Sequence, residues 1–394
     1  MSTHYLEISP RDPLISRDGR PFGAGQGNRM RGLPWLLPSV VAGSFRTALV
    51  KAGTGDFSGN VPDQLKQISV AGVFPVNEET IYLPAPADCV WDEDRGHVFR
   101  VQPVPLEKGE GVDLPMEGLK PVRLTDEQAA EDFKPKTVPA WWPLAKYEDW
   151  LTGTEVQREN GWFDASFLQS AERDMRDHVC LDAARGAAAE SLLFATANLS
   201  VHALPKHGEK NADNQHVPYT KLYQPVSLTA RVQVPNGDFA HAKDLDIWHP
   251  LGGERRLVHW KTNGNSALWA CPEKIKNALK SASHVRMVLA TSAIFRDGWK
   301  PGWLDDQSEG SPPGANVRLK LIGVCNDRWR AVSGWSLETH GPKPIRRMVP
   351  AGAVYFFEVT DDDPSELANR WLQPVSDDEQ ERRDGFGLAI WGTW

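Results

Sequence analysis

The order in which short apolar segments alternate along this chain limits its possible folds more than any other feature. From His4 to Ser9, Tyr5 and Glu7 alternate with Leu6 and Ile8, which reads as a strand with one buried face. Pro38-Ser39 opens a helix with Ser39 as its cap, Val41, Phe45, Ala48 and Leu49 as its core stripe, and Gly53 as its stop. Ile68 to Val76 and Thr80 to Leu83 read as strands, and Val226 to Val234 as the strand that opens the second half. A helix over Pro272 to Ser281 follows, then strands at Val285 to Thr291, Val317 to Cys325 and Val354 to Val359. Pro364 to Leu372 reads as a helix entered on proline, and a glycine turn at Gly385 to Gly387 feeds a last strand. No repeat of solenoid length is present. This order in each half is that of an α+β sandwich of the ferredoxin-like (RRM-type) class. The expectation is two such domains with long insertions: residues 1–225, interrupted at about 88–160, and residues 226–394.

Three segments resist that reading. Residues 88–160 are rich in proline, tryptophan and acid without a regular period, which suits an insertion or a docking region for another subunit. Ala183 to Leu193 scores equally as helix or strand. His202 to Gln224 is long, polar and broken by glycine and proline, an extended hairpin or a mobile loop.

With 40% hydrophobic and 24% charged residues, the chain has a globular balance. No run approaches the roughly 18 to 20 apolar residues of a membrane span. The start, Met1-Ser-Thr-His-Tyr-Leu-Glu, has no basic and apolar leader, so a cytoplasmic location without membrane contact is expected. Cys89, Cys180, Cys271 and Cys325 stand 91, 91 and 54 residues apart, so no pair has zinc or redox spacing. They read as buried small apolar groups. No metalloprotease, P-loop or paired-carboxylate motif occurs, and Asp361-Asp362-Asp363 reads as a solvated link; neither metal nor cofactor is expected.

The net charge of −8 argues at first against an anionic ligand, but its distribution is uneven. From Arg11 to Lys51 seven basic residues face two acidic ones, whereas from Asp361 to Asp384 nine acidic residues face three arginines. A basic end on an acidic body can hold phosphate at one place and offer its other faces to protein. Within the basic end, Arg17-Asp-Gly-Arg-Pro-Phe-Gly-Ala-Gly-Gln-Gly-Asn-Arg-Met-Arg-Gly32 has no apolar period and must be a loop. Its five glycines allow close backbone approach to a ligand.

Four segments together resemble the RAMP superfamily of CRISPR proteins, and in particular the third-subunit family of the type III-B (Cmr) effector. They are Pro10-Arg-Asp-Pro-Leu-Ile-Ser-Arg-Asp-Gly-Arg-Pro-Phe22, Leu37-Pro-Ser-Val-Val-Ala-Gly-Ser-Phe-Arg46, Ala293-Ile-Phe-Arg-Asp-Gly-Trp-Lys-Pro-Gly-Trp303 and Gly385-Phe386-Gly387. The resemblance implies a subunit that holds the repeat-derived 5′ tag of the guide RNA (crRNA). It also implies neighbours: a large polymerase/cyclase-like subunit and backbone RAMP subunits, with target RNA met only indirectly.

A single RNA strand is held by cations and N–H groups on phosphates, with aromatic or guanidinium planes on splayed bases. The expected RNA-binding residues are therefore Arg17, Arg20, Phe22, Gly23, Arg29 and Arg31 in the loop, and Ser39, Ser44, Arg46 and Lys51 on the helix, whose N-terminus attracts anions. Gly385, Phe386 and Gly387 complete the set. Plainer readings stand beside these: Arg17 and Arg20 paired with Asp12 and Asp18, Phe22 as a core plug, and the glycines serving only a tight turn. Trp299 and Trp303, beside Arg296 and Lys300, form a further RNA-facing or partner-facing candidate.

Some RAMP proteins cleave RNA without metal through a histidine. The candidates here are His178, His202, His207 and His216, with Tyr219 and Lys221, and none lies near the first helix. The expectation is a non-catalytic RNA-binding subunit; the alternatives are a metal-independent endoribonuclease that processes guide RNA and a protein–protein adaptor.

Overall fold

The computed structural model describes residues 1–18, 28–77, 79–125, 133–153, 162–164, 166–200, 202–203, 224–237, 239–336 and 340–394. The architecture is mixed α/β, rich in strands and poor in helices. Among the described residues no helix is long and apolar enough to cross a membrane. The chain divides into two compact units, each assembled from three separate stretches.

Unit 1 comprises Met1–Asn77, Ser170–Gly264 and Ala331–Arg347. Its elements are β1 (Ser2–Pro10), α1 (Pro38–Ala52), β2 (Ser69–Asn77), β3 (Glu172–Asp182), β4 (Ala187–Ser200), β5 (Ser227–Val234), β6 (Asp246–Pro250) and β7 (Leu257–Lys261). The main sheet runs β6-β7-β1-β5-β2, every neighbour antiparallel. Leu6 and Ile8 on β1, Ala230 and Val232 on β5, and Val258 and Trp260 on β7 turn to one face and are fully buried. Against that face lies the stripe Val41, Phe45, Ala48 and Leu49 of α1. Full burial of an aliphatic or aromatic side chain contributes about 1.5–3 kcal/mol, so this layer holds the unit together.

The strand Ser227–Val234 does not open a second domain. It pairs with Ser2–Ile8 on one side and with Ser69–Val76 on the other, at the centre of the first sheet. The division into units therefore departs from the 1–225 and 226–394 split, because residues 227–261 supply three strands that the sheet of β1 needs. The ambiguous stretch at 183–193 is strand: β3 and β4 form one long hairpin turning at residues 183–186.

Unit 2 comprises Glu78–Gln169, Asn265–Arg330 and Met348–Trp394. Its main elements are α2 (Glu273–Leu279), β8 (His284–Leu289), β9 (Arg318–Cys325), β10 (Val354–Asp361) and β11 (Leu388–Thr393). The central strands run β9-β10-β8-β11, all antiparallel. The segment expected as a helix at 364–372 is a 3-10 helix, Pro364–Arg370, capped by the Asp363 carboxylate, which accepts from the Ser365 N–H at 2.8 Å.

Residues 88–160 are not an appendage of the first unit. They carry the hairpin Cys89–Asp92/His97–Arg100 and the helix Leu144–Leu151. Trp142, Tyr147 and Trp150 of this stretch are fully buried, and the Trp142 and Trp150 rings meet edge to face at 5.2 Å. Asp88 is also fully buried: its carboxylate accepts from Arg286 Nη1 and from Trp150 Nε1, the latter at 2.9 Å. Arg286 donates further to the carbonyls of Trp150 and Thr393 at 2.7 and 3.0 Å. The low periodicity of the stretch has a physical reason. It contributes single aromatic plugs and buried charged groups, Asp88 among them, to a core built largely by distant segments.

Candidate functional site

After β1 the chain runs as an arm between the end of β4 and the β6–β7 turn of unit 1. The Leu14 and Leu199 N–H and carbonyl groups exchange hydrogen bonds of 2.9 and 2.6 Å, tying the arm to the β3–β4 hairpin. On its other side Gly253 N–H donates to the Ile15 carbonyl at 2.9 Å. Arg11 N–H and the Asp12 carboxylate bracket Leu257, each at 3.0 Å.

The arm ends in an antiparallel stem. Arg17 pairs with Gly32, Asp18 N–H donates to the Arg31 carbonyl at 3.1 Å, and Leu33 N–H donates to the Ser16 carbonyl at 2.9 Å. The returning limb then adds Asn28–Arg29 parallel to Phe194 and Ala195 of β4. The stem thus holds Arg17 and Arg31 one register step apart on opposite limbs, both exposed, with Arg17 opposite Gly32 and Arg31 opposite Asp18. Among the described residues neither enters an ion pair. The Arg17–Asp12 ion pair is not formed, and the Asp12 carboxylate accepts from Leu257 N–H instead. Arg20, Phe22 and Gly23 lie outside the described residues, as does the side chain of Arg29.

The helix candidates fare differently. Ser39 is not the cap: Leu37 is, with Pro38 at the first helical position, where its fixed φ is accommodated. The Val40 and Val41 N–H groups already reach the Leu37 carbonyl, and Pro38 has none to offer. The anion-attracting end is therefore reduced. Ser44 donates to the Pro250 carbonyl at 2.5 Å and clamps α1 to β6. Arg46 donates to the Ile68 carbonyl at 2.6 Å. Both side chains hold unit 1 together. Lys51 is exposed in the last turn of α1, and its charge joins burial in lowering the pKa of His249.

In unit 2 the third and fourth segments of the resemblance meet. Thr291 Oγ1 donates to the Gly385 carbonyl at 2.7 Å and accepts from Leu388 N–H at 2.9 Å, while Gly387 N–H donates to the Ser292 carbonyl at 2.8 Å. Asp377 accepts from the Arg296 and Gly302 N–H groups at 2.7 and 2.8 Å and so shapes the intervening loop. Nothing in its sequence surroundings marks Asp377 for that duty, since its partners lie 75 and 81 residues away.

Phe386 is 2% exposed, a core side chain and not a platform for a base. Gly385 and Gly387 have φ of 91° and 75°, and a side-chain carbon at Gly387 would lie 2.6 Å from Ser376 Oγ. These glycines make a buried turn possible. Gly387→Ala is expected to cost about 2 kcal/mol by thermal melting. RNA binding should be unaffected where the variant is folded. Of the Trp299 and Trp303 candidate, Trp303 packs on Phe357 at 5.7 Å, and the neighbouring Lys300 Nζ donates to the Asp305 carbonyl at 2.7 Å, so these two side chains have internal partners.

Among the proposed histidines, His178 stacks on Phe194 at 5.1 Å and shares a 2.8 Å hydrogen bond with Thr196 Oγ1. The side chain of His202, with His207, His216, Tyr219 and Lys221, lies outside the described residues. Among the described residues no three His, Cys, Asp or Glu side chains converge as metal ligands would. The four cysteines are free thiols, and burial pushes Cys271 and Cys325 up to about 12.

The chain resembles several solved structures at low identity. A chain of the type III-B Cmr-beta complex, seen by cryo-EM bound to cognate target RNA, superimposes with a TM-score of 0.49 at 12% identity, covering 98% of this chain and 96% of that one. A chain of the Csm3–Csm4 subcomplex of the type III-A CRISPR-Cas interference complex gives 0.34 at 10% identity, over 92% and 94%. These likenesses are distant and bear no weight in the assignment. No curated protein matches the chain in sequence. The family model for CRISPR-associated protein (Cas_Cmr3) matches residues 6–394, nearly the whole length, and the chain belongs to that family.

Proposed function

We propose that this protein is a non-catalytic, guide-RNA-binding subunit of a type III-B CRISPR effector, and that the arm of unit 1 holds the repeat-derived 5′ tag. The observation that carries this reading is the backbone-braced stem itself, which holds Arg17 and Arg31 one register step apart, both exposed and outside any ion pair among the described residues. Two exposed guanidinium groups on a backbone-braced stem are suited to phosphates of one strand that passes along it. The large polymerase/cyclase-like subunit and the backbone RAMP subunits are the protein partners in this reading, and target RNA is reached only through the guide.

Each unit is read as a ferredoxin-like domain. In unit 1, β1, α1, β2, β5 and β7 follow one another in the chain, and their strands lie in the order β7-β1-β5-β2. In unit 2, β8, β9, β10 and β11 lie as β9-β10-β8-β11. Numbered within each unit, both are the order 4-1-3-2, which supports the reading.

The test is to assemble the effector around a guide RNA with a photoreactive 5′ tag and map the crosslinked peptides. Adducts are expected within residues 11–18 and 28–33. A map with tag adducts on other subunits alone would overturn the proposal.

A further inference from the structure

The turn between β6 and β7 departs from what its sequence favours. Glu254 (φ 55°, ψ 27°) and Arg255 (φ 51°) are consecutive non-glycine residues in the left-handed region, within the four-residue loop 252–255 that joins Leu251 to Arg256. Glycine, or next asparagine and aspartate, is the usual choice at such positions, because a side-chain carbon there crowds the following carbonyl and costs about 1–2 kcal/mol per residue. The turn is closed by Arg256 N–H to the Gly253 carbonyl at 3.4 Å and Leu251 N–H to the Arg256 carbonyl at 2.8 Å.

Its surroundings hold the turn in place. A side-chain carbon at Gly252 (φ 81°) would collide with the Ile15 carbonyl oxygen, and one at Gly253 would lie 2.8 Å from Ile15 Cγ2. The arm is pinned at both feet of the turn, by Ile15 at Gly253 and by Arg11 and Asp12 at Leu257. Arg256 is used internally, donating to Asn198 Oδ1 at 3.0 Å. Arg255 is exposed, and among the described residues it forms no ion pair.

Arg255 stands two residues from the Gly253–Ile15 hydrogen bond, and Arg17 stands two residues from it on the other chain segment. At roughly 3.5 Å per residue their backbones lie within about 20 Å of each other, a span that a few nucleotides cover. Strained non-glycine positions that the surrounding structure enforces are a reason to look for function.

We propose that Arg255 is a further phosphate contact for the same single RNA strand, delivered by a turn that keeps a cation where glycine would be easier to fold. This rests on the reading of unit 1 as the holder of the guide.

Two glycine variants of the full chain separate the cation from the strain. The probe is a fluorescent guide RNA bearing the 5′ tag, titrated at several salt concentrations beside thermal melts. Arg255→Gly is expected to melt at the same or a higher temperature, yet to bind about tenfold more weakly, with the salt slope reduced by about 0.7. Glu254→Gly relieves the same strain and removes an anion, so its binding should hold or tighten. If Arg255→Gly binds normally while the Arg17→Ala/Arg31→Ala variant is weakened, the contact assigned to Arg255 is wrong and the tag site stands. If neither is weakened, both readings fall. Equal weakening by the two glycine variants would mean that the shape of the turn matters and its charge does not, which also overturns the proposal.

Discussion

Asp88→Ala is expected to remove about 3–5 kcal/mol from the stability of unit 2, the largest effect of any single change considered. The carboxylate is fully buried and bonded to both Arg286 and Trp150. The Arg286 side chain is itself only 2% exposed, so deleting its partner strands a guanidinium away from water with two carbonyls for company. A second cation sharpens the effect. Arg100 lies over the Trp150 ring at 4.5 Å, its pKa lowered to about 10 by burial first and by the charge of Arg286 second. Without Asp88 the two guanidinium groups repel across the indole with no buried anion between them.

Denaturant titration followed by near-UV circular dichroism of the tryptophans reads the loss directly. The double variant Asp88→Leu/Arg286→Met should recover part of it, because a hydrophobic pair strands no charge. A loss below about 1 kcal/mol for Asp88→Ala would show that the pair does not brace the unit.

Replacing Arg17 and Arg31 together with alanine is expected to weaken binding of tagged guide RNA about a hundredfold or more. A charge-assisted contact to phosphate contributes about 1.5–3 kcal/mol, and tenfold corresponds to about 1.4 kcal/mol. The salt slope should fall by about 1.4, two contacts at roughly 0.7 each on a single strand. The fold should persist: the stem is held by backbone groups of Ser16, Asp18, Arg31 and Leu33, which alanine at 17 and 31 leaves in place, and exposed substitutions of this kind usually stay within about 0.5 kcal/mol. Arg46→Ala is the informative contrast. Its guanidinium serves the Ile68 carbonyl, so it should lower the melting temperature and leave the salt slope alone. Unchanged affinity of the double arginine variant, with an unchanged melt, would sink the phosphate role of the stem.

Several elements were legible in the amino-acid order because they depend on neighbours along the chain. Alternation at Tyr5 to Ile8 placed β1, and the spacing of Val41, Phe45, Ala48 and Leu49 placed α1 with its buried face. The concentration of arginine between Arg11 and Lys51 identified the cationic region without a structure. The helix cap was misplaced by two residues, since Pro38 at the first helical position outweighed the serine beside it. The left-handed conformation of Glu254 and Arg255 was invisible, because neither residue type favours it, and the close approach of Ile15 to the preceding Gly252 and Gly253 comes from another segment.

Local order along the chain determined which segments became strand or helix, which face of each was apolar, and where positive charge gathered. Those properties follow from the two-residue and 3.6-residue repeats of the backbone and from composition. Tertiary structure alone decided that Ser227–Val234 sits between β1 and β2, that Asp88 meets Arg286 across 198 residues, and that Ser44 and Arg46 face carbonyls. Such partners are chosen by the burial of whole faces and the satisfaction of buried polar groups. Both are properties of the packed chain, and no single segment carries them.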